Sequence, residues 1–256
     1  MRAAILTDTT KCIGCSQCVV ACKKVNHLEN DIPRRWDMDD GLSARNWTSI
    51  IGEPDDKYVR KQCRHCLEPA CVAACPVAAL HKTDVGAVVY DSSRCIGCRY
   101  CMMACPFGIP RYDWNRTVPY VRKCILCYDR IKDGEQPACT EKCPTKATIF
   151  GDRNELLAEA HRRISEDPGK YLGKVWGESE VGGTSVLYIS DINLSFLTHG
   201  EHLGNEPLPQ TTRIAMGSVP FVFLGVGAAL TGLSWIIGRR MKLKGQQAED
   251  KEHGEE

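Results

Sequence analysis

The sequence has almost no net charge, few aromatic residues and no cysteine after position 143. Its 33 lysine and arginine residues nearly cancel 32 aspartate and glutamate residues, so the charge balance gives no general attraction to nucleic acid or another polyanion. Only 7% of the 256 residues are aromatic, which limits the large apolar surface that a core can bury. We therefore expect a bound group to help stabilise the fold.

The earlier part of the chain is, by contrast, rich in cysteine. All 16 cysteines lie between Cys12 and Cys143, in four groups that we call the first to fourth quartets. The quartets are Cys12, Cys15, Cys18 and Cys22; Cys63, Cys66, Cys71 and Cys75; Cys95, Cys98, Cys101 and Cys105; and Cys124, Cys127, Cys139 and Cys143. The first and third quartets repeat the same spacing.

Three chemistries use cysteine at this density: disulfides, structural zinc and iron–sulfur clusters. Disulfides need pairs of cysteines and have no use for a repeated spacing. Zinc sites commonly combine two cysteine pairs and often include histidine, whereas only His65 lies inside a quartet. A cubane cluster has four iron corners, which three cysteines on one curled loop and a fourth from elsewhere can reach. The spacing therefore favours [4Fe–4S] clusters.

Proline follows the last cysteine of three quartets, at Pro76, Pro106 and Pro144, while Lys23 follows Cys22. In bacterial ferredoxins the cysteine before such a proline ligates the other cluster of a pair. Proline also ends a helical turn and sends the chain away in an extended direction. Sixteen thiolates then complete four [4Fe–4S] clusters in two two-cluster units. Since no iron is left without a cysteine, we expect an electron carrier with no catalytic residue of its own.

Four stretches of the sequence resemble a known family. They are CIGCSQCVVACKKVN, CRHCLEPACVAACPVAAL, GAVVYDSSRCIGCRYCMMACPFGIPRYDW and KCILCYDRIKDGEQPACTEKCPTKATIF. The sequence resembles the four-cluster iron–sulfur electron-transfer subunit of membrane-bound oxidoreductases, in the branch of formate dehydrogenases and uptake nickel–iron hydrogenases. The resemblance covers residues 11–150 and extends more weakly through GGTSVLYIS to a C-terminal membrane anchor. It implies an α+β fold of tandem bacterial-ferredoxin-like units, with short strands and helices around the cluster loops, and one C-terminal transmembrane helix.

The resemblance also implies that the quartets pair in a nested order, the first with the fourth and the second with the third. The implied ligand sets are set A (Cys12, Cys15, Cys18 and Cys143), set B (Cys22, Cys124, Cys127 and Cys139), set C (Cys63, Cys66, Cys71 and Cys105) and set D (Cys75, Cys95, Cys98 and Cys101). In the family, the unit of sets A and B faces the catalytic subunit and the unit of sets C and D faces the membrane. Sequence spacing alone also allows successive quartets to pair.

The resemblance implies a function as well. We expect the chain to relay electrons through four [4Fe–4S] clusters between a catalytic subunit, of molybdopterin or nickel–iron type, and an integral membrane subunit that binds quinone or haem. A formate dehydrogenase is the leading expectation. The alternatives are a nickel–iron uptake hydrogenase, another molybdopterin oxidoreductase and, less favoured, a zinc-stabilised interaction module. The substrate is chosen by a different subunit.

The rest of the chain is divided as follows. We expect residues 1–150 to form the double ferredoxin-like domain, with residues 62–112 as its nested inner unit, and residues 151–213 to form a helix and an extended partner-contacting segment. Short apolar runs predict strands over 3–7, 85–90 and 185–189. Asp152, with Glu155 three residues later, predicts a helix start, and Pro168 lies beyond its end. The polar insertion over 23–62 has no clear period and is interpreted equally as a docking excursion or a surface loop.

Basic residues also stand beside several cysteines. They are Arg64, Arg94, Arg99 and Lys123. Such charges either raise the reduction potential of a nearby cluster or serve as solvated or docking charges, and we favour the second interpretation.

Residues 214–238 contain no charged side chain, and a helix of that length exceeds the roughly 30 Å of a bilayer core. A buried soluble helix is the alternative. Four basic residues follow this segment, at Arg239, Arg240, Lys242 and Lys244. The positive-inside rule then places the tail over 239–256 in the cytoplasm and the cluster domain on the periplasmic side of the inner membrane.

The N-terminal residues show no signal region. We therefore expect export of the folded chain with a partner that carries a twin-arginine signal, and the alternative is a cluster domain in the cytoplasm.

Overall fold

The computed structural model describes residues 2–28, 40–113, 120–198 and 203–252. In chain order the first half of the elements is β1 (Ala3–Asp8), α1 (Gln17–Val25), β2 (Thr48–Glu53), β3 (Lys57–Gln62), α2 (Ala70–Ala73), β4 (Leu80–Lys82), β5 (Val88–Tyr90) and α3 (Tyr100–Ala104). The second half is β6 (Arg111–Tyr112), β7 (Val121–Arg122), α4 (Tyr128–Lys132), α5 (Ala138–Glu141), β8 (Thr148–Asp152), α6 (Arg153–Glu166), β9 (Val186–Ile189) and α7 (Pro209–Glu252). The chain thus mixes short strands and helices, which confirms the predicted α+β class.

A three-stranded sheet in the order β8-β1-β9 joins the two ends of the cysteine-rich region. Strand β1 pairs antiparallel with β8 and parallel with β9. All six of its residues are buried, because both faces of the sheet are covered. Ala3 and Ile5 pack into a core that also contains Cys18 and Cys139, whereas Ala4 and Leu6 pack against α6. The predicted strands over 3–7 and 185–189 are confirmed.

Helix α6 begins where the sequence predicts. The Asp152 side chain accepts a hydrogen bond from the backbone N–H of Asn154 and caps the helix. Leu156 and Ala160 are buried on the face that meets the sheet. The pKa of Asp152 is lowered, chiefly by the hydrogen bond from Asn154, which keeps the cap ionised.

The interpretation of residues 23–62 as a surface loop or docking excursion is wrong for its last part. Strands β2 and β3 form an antiparallel hairpin in which Ile50 is opposite Arg60. Both strands are buried where they meet the core, so the alternation that marks a half-exposed strand is absent. Residues 29–39 lie outside the described part of the chain.

The predicted strand over 85–90 is shorter than expected. Strand β5 begins at Val88, because the chain first turns at Gly86, whose φ of +91° is left-handed. In the segment after α6, Tyr171, Val175 and Trp176 are buried in the chain's own core, and the contact of this segment with a partner stays a prediction.

The chain separates into two compact units, Met1–Pro209 and Gln210–Glu256. In the second unit one helix, over Pro209–Lys244, is long and apolar enough to cross a membrane. Its large apolar side chains are exposed, Phe221 by 76% and Leu224 by 71%, which is unlike a soluble core helix and supports the predicted membrane segment.

Candidate metal centres

The cysteine-containing loops curl because several of their residues adopt left-handed backbone angles. Ser16, Arg99 and Cys127 have positive φ and stand directly before α1, α3 and α4. At Gly14, with φ of +67°, an added Cβ would lie 2.8 Å from the Tyr58 ring. Each loop therefore turns sharply into a short helix that carries or precedes another cysteine, and the thiols of one loop converge.

Three of the implied ligand sets each line a separate cavity. The cavity of set A is lined by Cys12, Cys15, Cys18 and Cys143. The cavity of set B is lined by Cys22, Cys124, Cys127 and Cys139. The cavity of set C is lined by Cys63, Cys66, Cys71 and Cys105. Each of these cavities is thus lined by cysteines of two quartets that are far apart in sequence. The quartets that meet are those of the nested pairing and not those of the successive pairing.

The cysteines of set D also lie together. Burial raises the pKa of Cys101, and the neighbouring Cys75, Cys95 and Cys98 raise it further. Leu80 and Val88 pack around this group. The structure therefore brings together the cysteines of sets A, B and C, and it places Cys75 and Cys95 of set D in one hydrophobic cluster with Cys101.

The donor set fits a cluster and not a single ion. Every cysteine is a free thiol, and among the described residues no group of three or more histidine, cysteine or acidic side chains is close enough to hold one metal ion. A cubane spaces its four thiolates more widely than a zinc ion does, since each thiolate binds a different iron. Burial raises the pKa of Cys18 and of Cys71 to about 12, so these thiols need the positive charge of iron to become thiolates.

Backbone and side-chain N–H groups already point at several sulfurs. The Ala79 N–H donates to the Cys75 sulfur at 3.2 Å, and the Leu126 N–H donates to Cys124 at 3.4 Å. Asn26 donates through its side-chain amide to Cys22 at 3.6 Å. Such bonds stabilise sulfur that carries negative charge and raise the reduction potential of a bound cluster. Asn26 was missed in the sequence, because only the end of α1 brings it back toward Cys22.

Two of the four basic residues noted in the sequence are buried, so their interpretation as solvated charges is wrong. The Arg64 guanidinium lies 4.0 Å from the Tyr188 ring centroid, and the Lys123 ammonium donates to the carbonyl oxygens of Val88 and Cys124. Both side chains line the cavity of set C. Arg94 and Arg99 are exposed, as expected.

His65 is fully buried beside the same cavity. Its Nδ1 accepts a hydrogen bond from the Val88 N–H at 2.9 Å, which leaves the proton of the neutral ring on Nε2. That Nε2 has no partner among the described residues. A buried donor without a partner fits a cavity whose occupant supplies an acceptor, as the sulfide of a cluster does.

Sets A and D each contain one exposed cysteine. Cys15 and Cys98 are the two exposed cysteines, and each follows an exposed isoleucine, Ile13 at 59% and Ile96 at 62%. The two loops share the sequence Cys-Ile-Gly-Cys. The protein therefore presents two similar apolar surfaces, which we call the Cys15 pole and the Cys98 pole.

Known proteins are similar to this chain in sequence. The family model described as a 4Fe-4S dicluster domain matches residues 55–153. A protein of Nitratidesulfovibrio vulgaris is 40% identical over 255 residues, which cover 95% of this chain and 69% of that protein. The hydrogenase-2 operon protein HybA of Escherichia coli O157:H7 is 38% identical over 228 residues, covering 73% of this chain and 70% of HybA.

The iron–sulfur subunit of the nitrate-inducible formate dehydrogenase of Escherichia coli K12 is 38% identical over 201 residues, covering 73% of this chain and 68% of that subunit. These relatives confirm the resemblance predicted from the cysteine motifs. The chain belongs to the 4Fe-4S dicluster family of iron–sulfur electron-transfer subunits of oxidoreductases.

Proposed function

We propose that the chain carries single electrons through four [4Fe–4S] clusters, held by sets A to D, between a catalytic subunit and an integral membrane subunit that binds quinone or haem. The observation that carries this proposal is the convergence of cysteines from distant parts of the sequence. In sets A, B and C the four cysteines surround a separate cavity. A bound cluster supplies a site that accepts and returns one electron with little change in geometry.

The chain's own residues provide the conditions for this transfer. The four thiols of each set fix one position for a cluster, so neighbouring positions stay at constant separation. N–H donors such as those of Ala79 and Leu126 stabilise the negative sulfur. Six of the cysteines are buried and eight are half-buried, while Cys15 and Cys98 reach the surface. Electrons would enter at one pole and leave at the other.

The pairing of the quartets is tested by double variants of the full chain, purified anaerobically. Cys12→Ala and Cys143→Ala affect the same set, so their combination should alter only one of the four clusters, by loss or conversion to a three-iron form. The matched combination of Cys12→Ala with Cys139→Ala should alter two. Iron analysis and electron paramagnetic resonance count the affected clusters. Two altered clusters in the first combination would instead support pairing of successive quartets.

The relatives named for formate dehydrogenase and for the hydrogenase-2 operon support assignment to such a complex. We propose a formate dehydrogenase, with a nickel–iron hydrogenase as the alternative. The neighbouring reading frames decide between them. A molybdopterin-type large subunit supports formate, and a nickel–iron pair supports hydrogen.

We further propose that α7 anchors the chain in the inner membrane with its C-terminus in the cytoplasm. The support is the cluster of Arg239, Arg240, Lys242 and Lys244 at one end of the apolar segment. A reporter that is active only in the cytoplasm, fused after position 256, should be active. Activity of a periplasm-specific reporter at the same position would reverse the orientation and place the cluster domain in the cytoplasm.

A further inference from the structure

Arg60 is a fully buried cation between ligand sets A and B. It lies on β3 opposite Ile50, and only 1% of it is exposed. Its side chain lines the cavity of set A, together with Cys12, Cys15, Cys18 and Cys143. The Tyr188 hydroxyl donates to the Arg60 carbonyl oxygen at 2.8 Å, which holds this part of the strand in place from the neighbouring sheet.

The guanidinium has no ordinary counter-charge. Among the described residues no carboxylate, carbonyl or hydroxyl oxygen accepts a hydrogen bond from its three nitrogens. The buried Arg64 and Lys123, by contrast, have an aromatic ring and two carbonyl groups beside their charges. A buried charge without a partner is strongly unfavourable, so the charge at Arg60 indicates that a negative group occupies the space beside it.

The Arg60 side chain is in contact with cysteines of both sets A and B. It lines the cavity of set A, and the Cys139 side chain of set B lies within hydrogen-bond reach of its guanidinium. No single set therefore accounts for the position of Arg60.

We propose that Arg60 is a positioning charge shared by the two clusters of sets A and B, and that it raises the reduction potentials of both. Reduction adds one electron to a cluster and so one negative charge, which a fixed cation nearby stabilises relative to the oxidised form. Because the charge lies between sets A and B, it raises the reduction potentials of both clusters together. It therefore adds no large difference in potential between these two neighbouring clusters. This inference rests on the proposed ligand sets.

The test is a redox titration of the full chain, purified anaerobically with its clusters and followed by electron paramagnetic resonance. In Arg60→Gln two of the four redox transitions should move to lower potential, and the other two should stay in place. We expect at least a tenfold change in the ratio of oxidised to reduced cluster at a fixed applied potential, which equals about 59 mV for one electron.

Two further variants separate charge from shape. Arg60→Lys keeps the positive charge and should leave all four transitions near their wild-type positions. Arg94→Gln removes an exposed arginine that is paired with Asp91 beside Cys95, and solvent screening should leave its transitions unchanged. Four unmoved transitions in Arg60→Gln would overturn the inference.

If Arg60→Gln loses clusters, comparison with Arg60→Lys still tests the inference. If Arg60→Lys keeps the clusters that Arg60→Gln loses, the charge is required and the inference stands. If both variants lose them, the site needs the shape of arginine and the inference fails. The iron content of the wild-type chain is read first, since fewer than four clusters there would overturn the proposed ligand sets and this inference with them.

Discussion

The Cys22 thiol on α1 shares one cavity with the Cys139 thiol on α5, although more than half of the cysteine-rich region separates them in sequence. The two helices pack against each other, and burial raises the pKa of Cys22 well above its usual value. The Cys22 thiol becomes a thiolate here only when iron neutralises it. The contact between α1 and α5 should therefore depend on bound metal.

Removal of iron by an anaerobic chelator should loosen the cysteine-bearing helices first. We expect amide hydrogen exchange in α1 and α5 to lose most of its protection, because metal binding and folding are coupled at such sites. Helix α6 is the internal control, since the core between it and Ala4 and Leu6 contains no cysteine. Unchanged exchange in α1 and α5 after complete loss of iron would show that the thiol cavities are preformed without metal.

The face of β1 away from the cysteines should behave as an ordinary hydrophobic core. Leu156→Ala removes a side chain that is only 6% exposed, and such truncations lower the free energy of unfolding by about 2–5 kcal/mol. The measurement is the guanidinium concentration at which half of the cluster absorbance is lost after a fixed incubation time, and this concentration should be lower for the variant. Leu172→Ala is the matched control, because Leu172 is 51% exposed and its truncation should have little effect. Equal midpoints for both variants would contradict the packing of α6 on the sheet.

The two apolar poles should serve different partners. If the unit of sets C and D faces the membrane subunit, Ile96→Glu at the Cys98 pole should slow electron transfer to the quinone- or haem-binding subunit at least tenfold, since a buried unpaired charge in an interface is costly. Ile13→Glu at the Cys15 pole is its counterpart and should instead slow electron exchange with the catalytic subunit.

Single-turnover reduction of each partner in isolated membranes distinguishes these effects. Slowing of the same step by both variants would contradict separate entry and exit surfaces. Iron content should stay at the wild-type level in both variants, because Ile13 and Ile96 are exposed.

The cysteine spacing alone predicted the kind of cofactor, because each quartet is local in sequence and its chemistry is specific. The order in which the quartets combine was not in the spacing. It depends on β1 pairing with β8 and on α1 packing against α5, which are long-range contacts. The resemblance supplied that order, and the structure brings the same cysteines together.

Arg60 and its hairpin were missed for a related reason. Strands β2 and β3 are buried on both faces near the core, and β3 carries Arg60 and Lys61 where a buried strand normally has apolar residues. A charged run of this kind looks like a surface loop in the sequence. Only the cysteine thiols on either side, brought there by other elements, explain why an arginine is buried at this position.

The most direct test of the account is the content of iron and acid-labile sulfide per chain after anaerobic purification of the full-length protein. Four complete clusters predict about sixteen of each, with a brown absorbance that dithionite bleaches. About eight irons per chain, or zinc in place of iron, would contradict the central claim that every cysteine of the four sets holds a cluster.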